Sequence, residues 1–376
     1  MLGRMDAEKF VRNLASTFGV EINGQRPWDI QVHDARFYRR VLADGSLGLG
    51  ESYMAGWWDC NDLGDFFYRL FLAGVDSRDP ARFRLRLMGL MARLRNLQSR
   101  QRAPQVAEAH YNKTIAAYRN MSDKWITLSC GYWKDARDLD EAQDRKLDLV
   151  CKKIGLARGE HVLDIGCGFG SFARFAAERY GCAVTGINLS SEQIQVAREL
   201  ARGLPVEIVQ CDYRETDRYL GDRPFDKIVS IGMFEHVGYK NIRPYMEAAH
   251  HCLADGGLFL LHTIGSNVSQ HYNDPWYDKY IFPNGMLPSI QQIAAAIEGL
   301  FVMEDWHNFG PDYARTHQAW YERFDRSWEG SKSDPFYRMW KYFLLSSVGG
   351  FKARHKQLWQ IVLSKGGVQP RYERVT

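Results

Sequence analysis

With 376 residues, 45% hydrophobic and 25% charged, the chain has the makeup of a soluble globular protein, not of a disordered or membrane-spanning one. Its length favours a catalytic domain of ordinary size plus a smaller one. A formal net charge of +4 is too small to imply a nucleic-acid partner, and seven scattered cysteines without a CxxC pair argue against a disulfide framework or structural zinc.

The start, MLGRMDAEKF, has no apolar stretch after its charged residues. No segment reaches the ~20 apolar residues of a spanning helix, so a cytoplasmic location is expected. The first 75 or so residues are rich in turn signals. DGSLGLGES is the clearest loop, and the aromatic cluster Tyr53, Trp57, Trp58, Phe66, Phe67, Tyr68 and Phe71 follows it. From Pro80 the spacing of Phe83, Leu87, Leu90, Met91, Leu94 and Leu97 predicts a helix. Between Arg78 and Arg102 lie eight arginines against one acid, Asp79. A basic amphipathic helix of this kind predicts attachment to the anionic inner face of a membrane; the plainer alternative is a solvated face whose apolar stripe packs on the N-terminal domain. QSRQRAPQVAEAH breaks the pattern. We therefore divide the chain into a small domain over 1–102, a linker over 103–116 and a catalytic domain over 117–376.

From residue 160 strands and helices alternate. HVLDI precedes a helix from Ser171, CAVTGI a helix from Ser190, then come VEIVQ, FDKIVSI with a helix near Asn241, and GLFLLHT. The expected fold class is α/β, a mostly parallel, doubly wound, Rossmann-like sheet with helices on both faces. Ligands in such sheets bind outside the carboxyl ends of the strands.

At the first of these ends, VLDIGCGFG places Gly166, Gly168 and Gly170 where backbone must approach a ligand, with Asp164 able to fix the loop or meet a cationic amine. The spacing is not GxGxxG; it resembles the cofactor loop of class I S-adenosylmethionine methyltransferases. The acid expected after the second strand is replaced by Asn188, which can still bond a ribose hydroxyl. Gln193 is a second candidate against a solvated helix residue. After the third strand Asp212 can accept from an adenine amine and Tyr213 can stack on the ring, against a plain turn role for Asp212. Glu235 and His236 follow the fourth strand, as a titratable pair or as helix caps. His262, near the end of the fifth, reads on its own as a core histidine.

Taken in order, GSLGLGESYMAGWWDC, SCGYWKD, VLDIGCGFG, GMFEHVG, LLHTIGS, DPWYDKYIFPNG, VMEDWHNFGPDYARTHQAWYERF and LWQIVLSKG resemble the bacterial cyclopropane-fatty-acyl-phospholipid synthases through nearly the whole chain. The resemblance implies an N-terminal lipid-binding domain, S-adenosylmethionine as cofactor, a homodimer, and a bicarbonate ion in the active site. It assigns the bicarbonate to the backbone N–H groups of Cys130 and Ile264 and the side chains of Glu235, His262 and Tyr313. Cofactor positions are Gly166, Gly168, Gly170, Gln193 and Asp212. Asn112 and Leu128 stand where relatives carry an acid and a tyrosine.

The chemistry so implied is addition of a methylene to a cis alkene. A double bond attacks the sulfonium methyl, and the resulting carbocation closes to a ring when a base beside the new methyl removes a proton. Tyr132, Trp133, Trp276, Tyr280 and Trp320 are candidate walls that shield the cation. No His/Cys/Asp cluster has ligand spacing, so no metal is expected. Two other readings are a lipid C-methyltransferase that leaves a methyl branch and a non-catalytic lipid-binding protein.

Overall fold

The computed structural model describes residues 4–74, 111–221 and 224–375. The arginine-rich segment 78–102 and residues 103–110 of the expected linker lie outside them. The chain runs α1 (Arg4–Ser16), β1 (Ile30–Val32), α2 (Arg36–Met54), β2 (Trp58–Cys60), α3 (Leu63–Leu72), α4 (Tyr111–Met121) and α5 (Leu139–Lys153). It continues with β3 (His161–Ile165), α6 (Ser171–Tyr180), β4 (Ala183–Asn188), α7 (Ser191–Leu200), β5 (Val206–Gln210), α8 (Thr216–Leu220) and β6 (Phe225–Ile231). It ends with α9 (Ile242–Cys252), β7 (Leu253–Ser266), α10 (Pro275–Tyr280), α11 (Ile290–Ile297), β8 (Val302–Asn308), α12 (Gly310–Ser327), α13 (Pro335–Lys352) and β9 (Lys356–Ser364). Residues 111–116, assigned from sequence to the linker, are the opening of α4.

The seven-stranded sheet has the order β5-β4-β3-β6-β7-β9-β8. Neighbours from β5 to β7 are parallel, and β9 runs antiparallel to both β7 and β8. Strand β3 is buried along nearly its whole length, as a strand covered on both faces must be. Strand order reverses at β3, so the crevice outside its carboxyl end is the natural ligand position.

The N-terminal aromatics do not build a separate core. Tyr53 packs at 5.0 Å from Trp58 and 5.6 Å from Tyr342, and Phe67 stands edge-on to Tyr342 at 5.0 Å. One apolar cluster thus runs from α1, α2 and α3 into α12 and α13. Two details permit it. A Cβ on Gly349 would lie 2.5 Å from Phe67 Cβ, so only glycine lets α3 and α13 approach this closely. The Arg338 guanidinium on α13 donates to the carbonyls of Tyr53 and Trp58 and pairs with Asp59, which ties β2 to the catalytic part.

Candidate active site

The loop between β3 and α6 carries three left-handed glycines, Gly166 (φ 83°), Gly168 (φ 56°) and Gly170 (φ 73°). A Cβ at Gly166 would collide with Met233 at 2.5 Å, whereas one at Gly168 would meet nothing within 4 Å. The first glycine is therefore required by packing and the second by backbone conformation beside open space. Beneath the loop Asp164 is buried, which pushes its carboxyl up to about 7 while nearby Lys146 pulls it down. Lys146 is itself fully buried; it donates to Ser129 Oγ at 3.0 Å and has no carboxylate within ion-pair distance among the described residues. Burial brings its ammonium down to about 8.

At the end of β4, Asn188 braces the loop. Its Nδ2 donates to Gly168 O (3.3 Å) and Gln193 Oε1 (2.8 Å), and its Oδ1 accepts from Leu189 N (2.8 Å). Both Asp212 and Tyr213 follow β5. Asp212 accepts from Arg214 N at 2.9 Å and from Arg214 Nε at 2.8 Å, so the turn role holds alongside any ligand role. Tyr213 is buried edge-on against Tyr245 at 4.9 Å. Asp164, Gly166, Gly168, Asn188, Gln193, Asp212 and Tyr213 all line one cavity of about 450 Å³. Gly170 stands just behind, capping α6.

The same cavity reaches Glu235, Ile264 and Tyr313. Glu235 sits on a short turn after β6, and its Oε1 accepts from Ile264 N at 2.6 Å. Its Oε2 is buried with no hydrogen-bond partner among the described residues. Burial pushes this carboxyl up to about 7, against the Ile264 hydrogen bond, which lowers it. His262 Nδ1 lies 3.3 Å from the Gln360 amide nitrogen, while its Nε2 is buried and unpartnered among the described residues. With the Gln360 amide assigned this way round, Nδ1 accepts and the ring proton is assigned to Nε2. Burial, then the charges of Lys146 and Lys153, hold the imidazole well below its usual range, so it is neutral. Tyr313, on α12, packs against His317 at 4.3 Å and Phe351 at 4.8 Å. Burial, then Cys130 and Glu235, raises its hydroxyl well above the usual value.

Cys130 is fully buried and its thiol stays protonated, because burial raises it well above the ordinary range. Two helices fix the surrounding backbone. From α12, Thr316 Oγ1 accepts from Gly131 N (3.1 Å) and Asp312 from Trp133 N (2.7 Å). From α5, the carbonyl of Ala142 accepts from Tyr132 N (2.9 Å), and Gln143 donates to Ser129 O (2.8 Å).

Sequence reasoning and structure differ in three respects. Cys130 and His262 lie behind the cavity wall rather than on it, and the Ile264 N–H assigned to an anion is engaged by Glu235. Of the five proposed aromatic walls only Trp320 lines the cavity; the others pack elsewhere, Trp276 for example against Tyr342 at 4.4 Å. The lining aromatics include Tyr118, Tyr277, Phe282, Phe343 and Phe351. Lys146, Gln360 and His317 were missed. Lys146 had a readable signal, since it falls between Ala142 and Val150 on the apolar stripe of α5. Leu128 lines the cavity, and the Asn112 side chain lies outside the described ones.

A family profile described as mycolic acid cyclopropane synthetase matches residues 98–361. The chain is 48% identical over 363 residues to the cyclopropane-fatty-acyl-phospholipid synthase of Escherichia coli strain K12, covering 95% of this chain and 93% of that one. It is 32% identical to the tuberculostearic acid methyltransferase UfaA1 of Mycobacterium tuberculosis, covering 88% and 81% respectively. Among solved structures, mycolic acid cyclopropane synthase CmaA1 complexed with SAH and CTAB superposes with a TM-score of 0.64 at 27% identity, over 70% of this chain and 98% of that one.

Proposed function

Because the chain belongs to the mycolic acid cyclopropane synthetase family, we propose that it closes a cyclopropane ring across the cis double bond of an acyl chain in a membrane phospholipid, using S-adenosylmethionine and a bound bicarbonate. The observation that carries this reading is the pair of atoms Glu235 Oε2 and His262 Nε2, both buried and without a partner among the described residues, Glu235 in the turn just after β6 and His262 in β7 opposite Ile231, the last residue of β6. One accepts and the other donates, which is the set a hydrogen carbonate needs. When bound, S-adenosylmethionine supplies an electrophilic methyl, and bicarbonate supplies a small base that can stand beside the methylated carbon.

The residues fit both groups. Gly168 leaves open space at the loop, and Asn188, Gln193, Asp212 and Tyr213 surround it as the cofactor set. Glu235, the Tyr313 hydroxyl and the Ile264 N–H, which Ile264 shares with Glu235, would hold the bicarbonate at the cavity wall, and the neutral His262 and the Cys130 backbone N–H would support it from just behind that wall. Glu235 turns a basic oxygen toward the reacting carbon by accepting the hydroxyl hydrogen. Tyr313, Trp320, Phe343 and Phe351 exclude water from the lipid cation and present negative ring faces to it. Asn188, which stands in place of the acid expected after the second strand, supports the loop through Gly168 and Gln193, and this weighs against the non-catalytic alternative.

The enzyme works as a homodimer at the anionic inner face of the membrane. No helix among the described residues is long and apolar enough to cross it. Incubating the protein with labelled S-adenosylmethionine and monounsaturated phospholipid vesicles, then analysing the fatty acids, tests the reading. Gain of CH2 with loss of the alkene supports it; a methyl-branched product establishes the C-methyltransferase alternative, and no transfer refutes both. Removal of carbon dioxide and bicarbonate depresses turnover and re-addition restores it, whereas a chelator leaves it unchanged; the opposite pattern refutes the assignment of the base.

A further inference from the structure

The turn joining α13 to β9 reads Lys352, Ala353, Arg354, His355, Lys356, four basic residues in five positions that the cofactor and base sites do not use. Lys352 and Arg354 are exposed, and neither they nor Lys356 has a carboxylate within ion-pair distance among the described residues. Arg354 holds a left-handed turn (φ 55°) and its side chain donates to Gln357 Oε1.

Lys356 differs from a surface lysine in where it lies. It lines the same cavity as Glu235, together with His355, Ser266 and Gln270. Its ammonium rests 4.1 Å from the centroid of the Tyr277 ring. Its stem lies along α13, where a Cβ on Gly350 would stand in ordinary contact with its Cδ and Cε at 3.7 Å. In the β7–β9 ladder Lys356 faces Ser266, two residues out from the Leu358–Ile264 pair. That is ~7 Å of strand from the Glu235 end, before the lysine's own length is added. Apolar side chains of Phe282, Phe343 and Phe351 line the same cavity. Around this mouth Leu72 (58%) and Val268 (63%) are exposed. Leu72 ends α3 beside Phe71, which stacks on His355 at 4.6 Å, and Asn267, next to Val268, bonds the Arg354 carbonyl at 2.8 Å.

From this arrangement we infer that Lys352, Arg354 and Lys356 form a phosphodiester-binding site at the mouth of the acyl cavity, docking a glycerophospholipid still seated in its bilayer. Lys356 takes the phosphate of the lipid whose acyl chain runs inward. Lys352 and Arg354 meet neighbouring headgroups, and Leu72 and Val268 enter the interface. The inference rests on the lipid reading above, but concerns residues that touch neither cofactor nor base. It also supplies a membrane contact independent of segment 78–102.

The test is the variant Lys352→Gln/Arg354→Gln/Lys356→Gln, with two readouts: flotation with phosphatidylglycerol-containing vesicles, and turnover against lipid concentration. Three cations at an anionic surface correspond to on the order of 100-fold in affinity at low salt. Vesicle affinity should fall by that amount and lipid KM rise with it, the loss shrinking as salt is added, while cofactor affinity at the distant loop stays unchanged. Mixed micelles of monounsaturated diacylglycerol in neutral detergent, which carry no phosphate, should be used equally by parent and variant. Unchanged flotation and lipid KM at low salt overturn the site. If the parent makes no product on any lipid, the proposed reaction fails, and flotation still decides the docking site. Should the triple variant misfold, the exposed pair Lys352→Gln/Arg354→Gln reads the same surface, with ~25-fold expected.

Discussion

Replacing Glu235 by Gln separates its chemical role from its structural one, because the two effects run in opposite directions. The amide keeps an oxygen for Ile264 N, now bonded to Oε1 at 2.6 Å, but puts a donor where the unpartnered Oε2 accepts. A positioned base typically contributes ~10²–10⁴ in rate, or about 3–5 kcal/mol of barrier, and the substitution removes the group that positions it. Stability should move the other way. The folded carboxyl is held at about 7 against 4.5 for the ordinary group. Below pH ~4.5 both folded and unfolded states are protonated and burial carries no ionic penalty. Between ~4.5 and ~7 the unfolded chain ionises first, and above ~7 the penalty is complete, about 3 kcal/mol as an upper figure. A neutral amide avoids it. Glu235→Gln should therefore match the parent in Tm near pH 4.5 and exceed it at pH 8, with cofactor affinity unchanged and kcat down at least 100-fold. Calorimetry across pH and steady-state turnover with bicarbonate present check both halves. Near-normal kcat removes Glu235 from the mechanism, and a Tm difference that does not change with pH refutes the buried-carboxylate argument.

Three further outcomes follow from other contacts. Lys146→Met removes the cation that pulls Asp164 down, so Asp164 should ionise at higher pH and cofactor affinity should shift to more alkaline pH; an unshifted binding profile from isothermal titration separates the two residues. Glu51→Ala strips partners from Arg40, Lys279 and Tyr280, releasing α10 from α2. It should raise lipid KM several-fold with cofactor Kd intact, and an unchanged KM shows that α10 is held by packing alone. Gly349→Ala forces a methyl to 2.5 Å from Phe67 Cβ and should cost about 1–3 kcal/mol or more by denaturant unfolding; a cost near zero means α3 and α13 can slide apart.

Much of the sheet was legible because β3 to β6 are short, largely apolar runs alternating with helical segments and β7 contains another, GLFLLHT, and the glycine loop was legible because packing and left-handed backbone restrict Gly166, Gly168 and Gly170. The replacement of an acid by Asn188 was visible too, but not its bonds to Gly168 and Gln193, which depend on how the β4 turn folds back over the loop. Positions defined through space were the hardest to read. Whether an aromatic lines a cavity or fills a core depends on which neighbour reaches it first, and Trp276 is taken by Gly50 and Tyr342, far away in the chain. The antiparallel insertion of β9 between β7 and β8 likewise brings Gln360 to His262 across 98 residues, beyond any local pattern.

Such long-range contacts bear on what the N-terminal part does. Had its aromatics formed their own core, α1, α2 and α3 would be a detachable lipid binder tethered to a catalytic domain. Instead they share a core with α13, the helix that supplies Phe343, Ser347 and Phe351 to the cavity wall. Glu51 reaches α10, after which the chain turns back through Met286, whose N–H donates to the Glu235 carbonyl at 2.8 Å. The wall of the lipid cavity is thus held from the N-terminal side at both α13 and α10, and a close-packed interior transmits displacement at either helix. A truncation that removes residues 4–74 would strip apolar partners from α13. It should therefore lose folded stability and turnover together, including turnover on short, detergent-dispersed lipids that need no membrane docking.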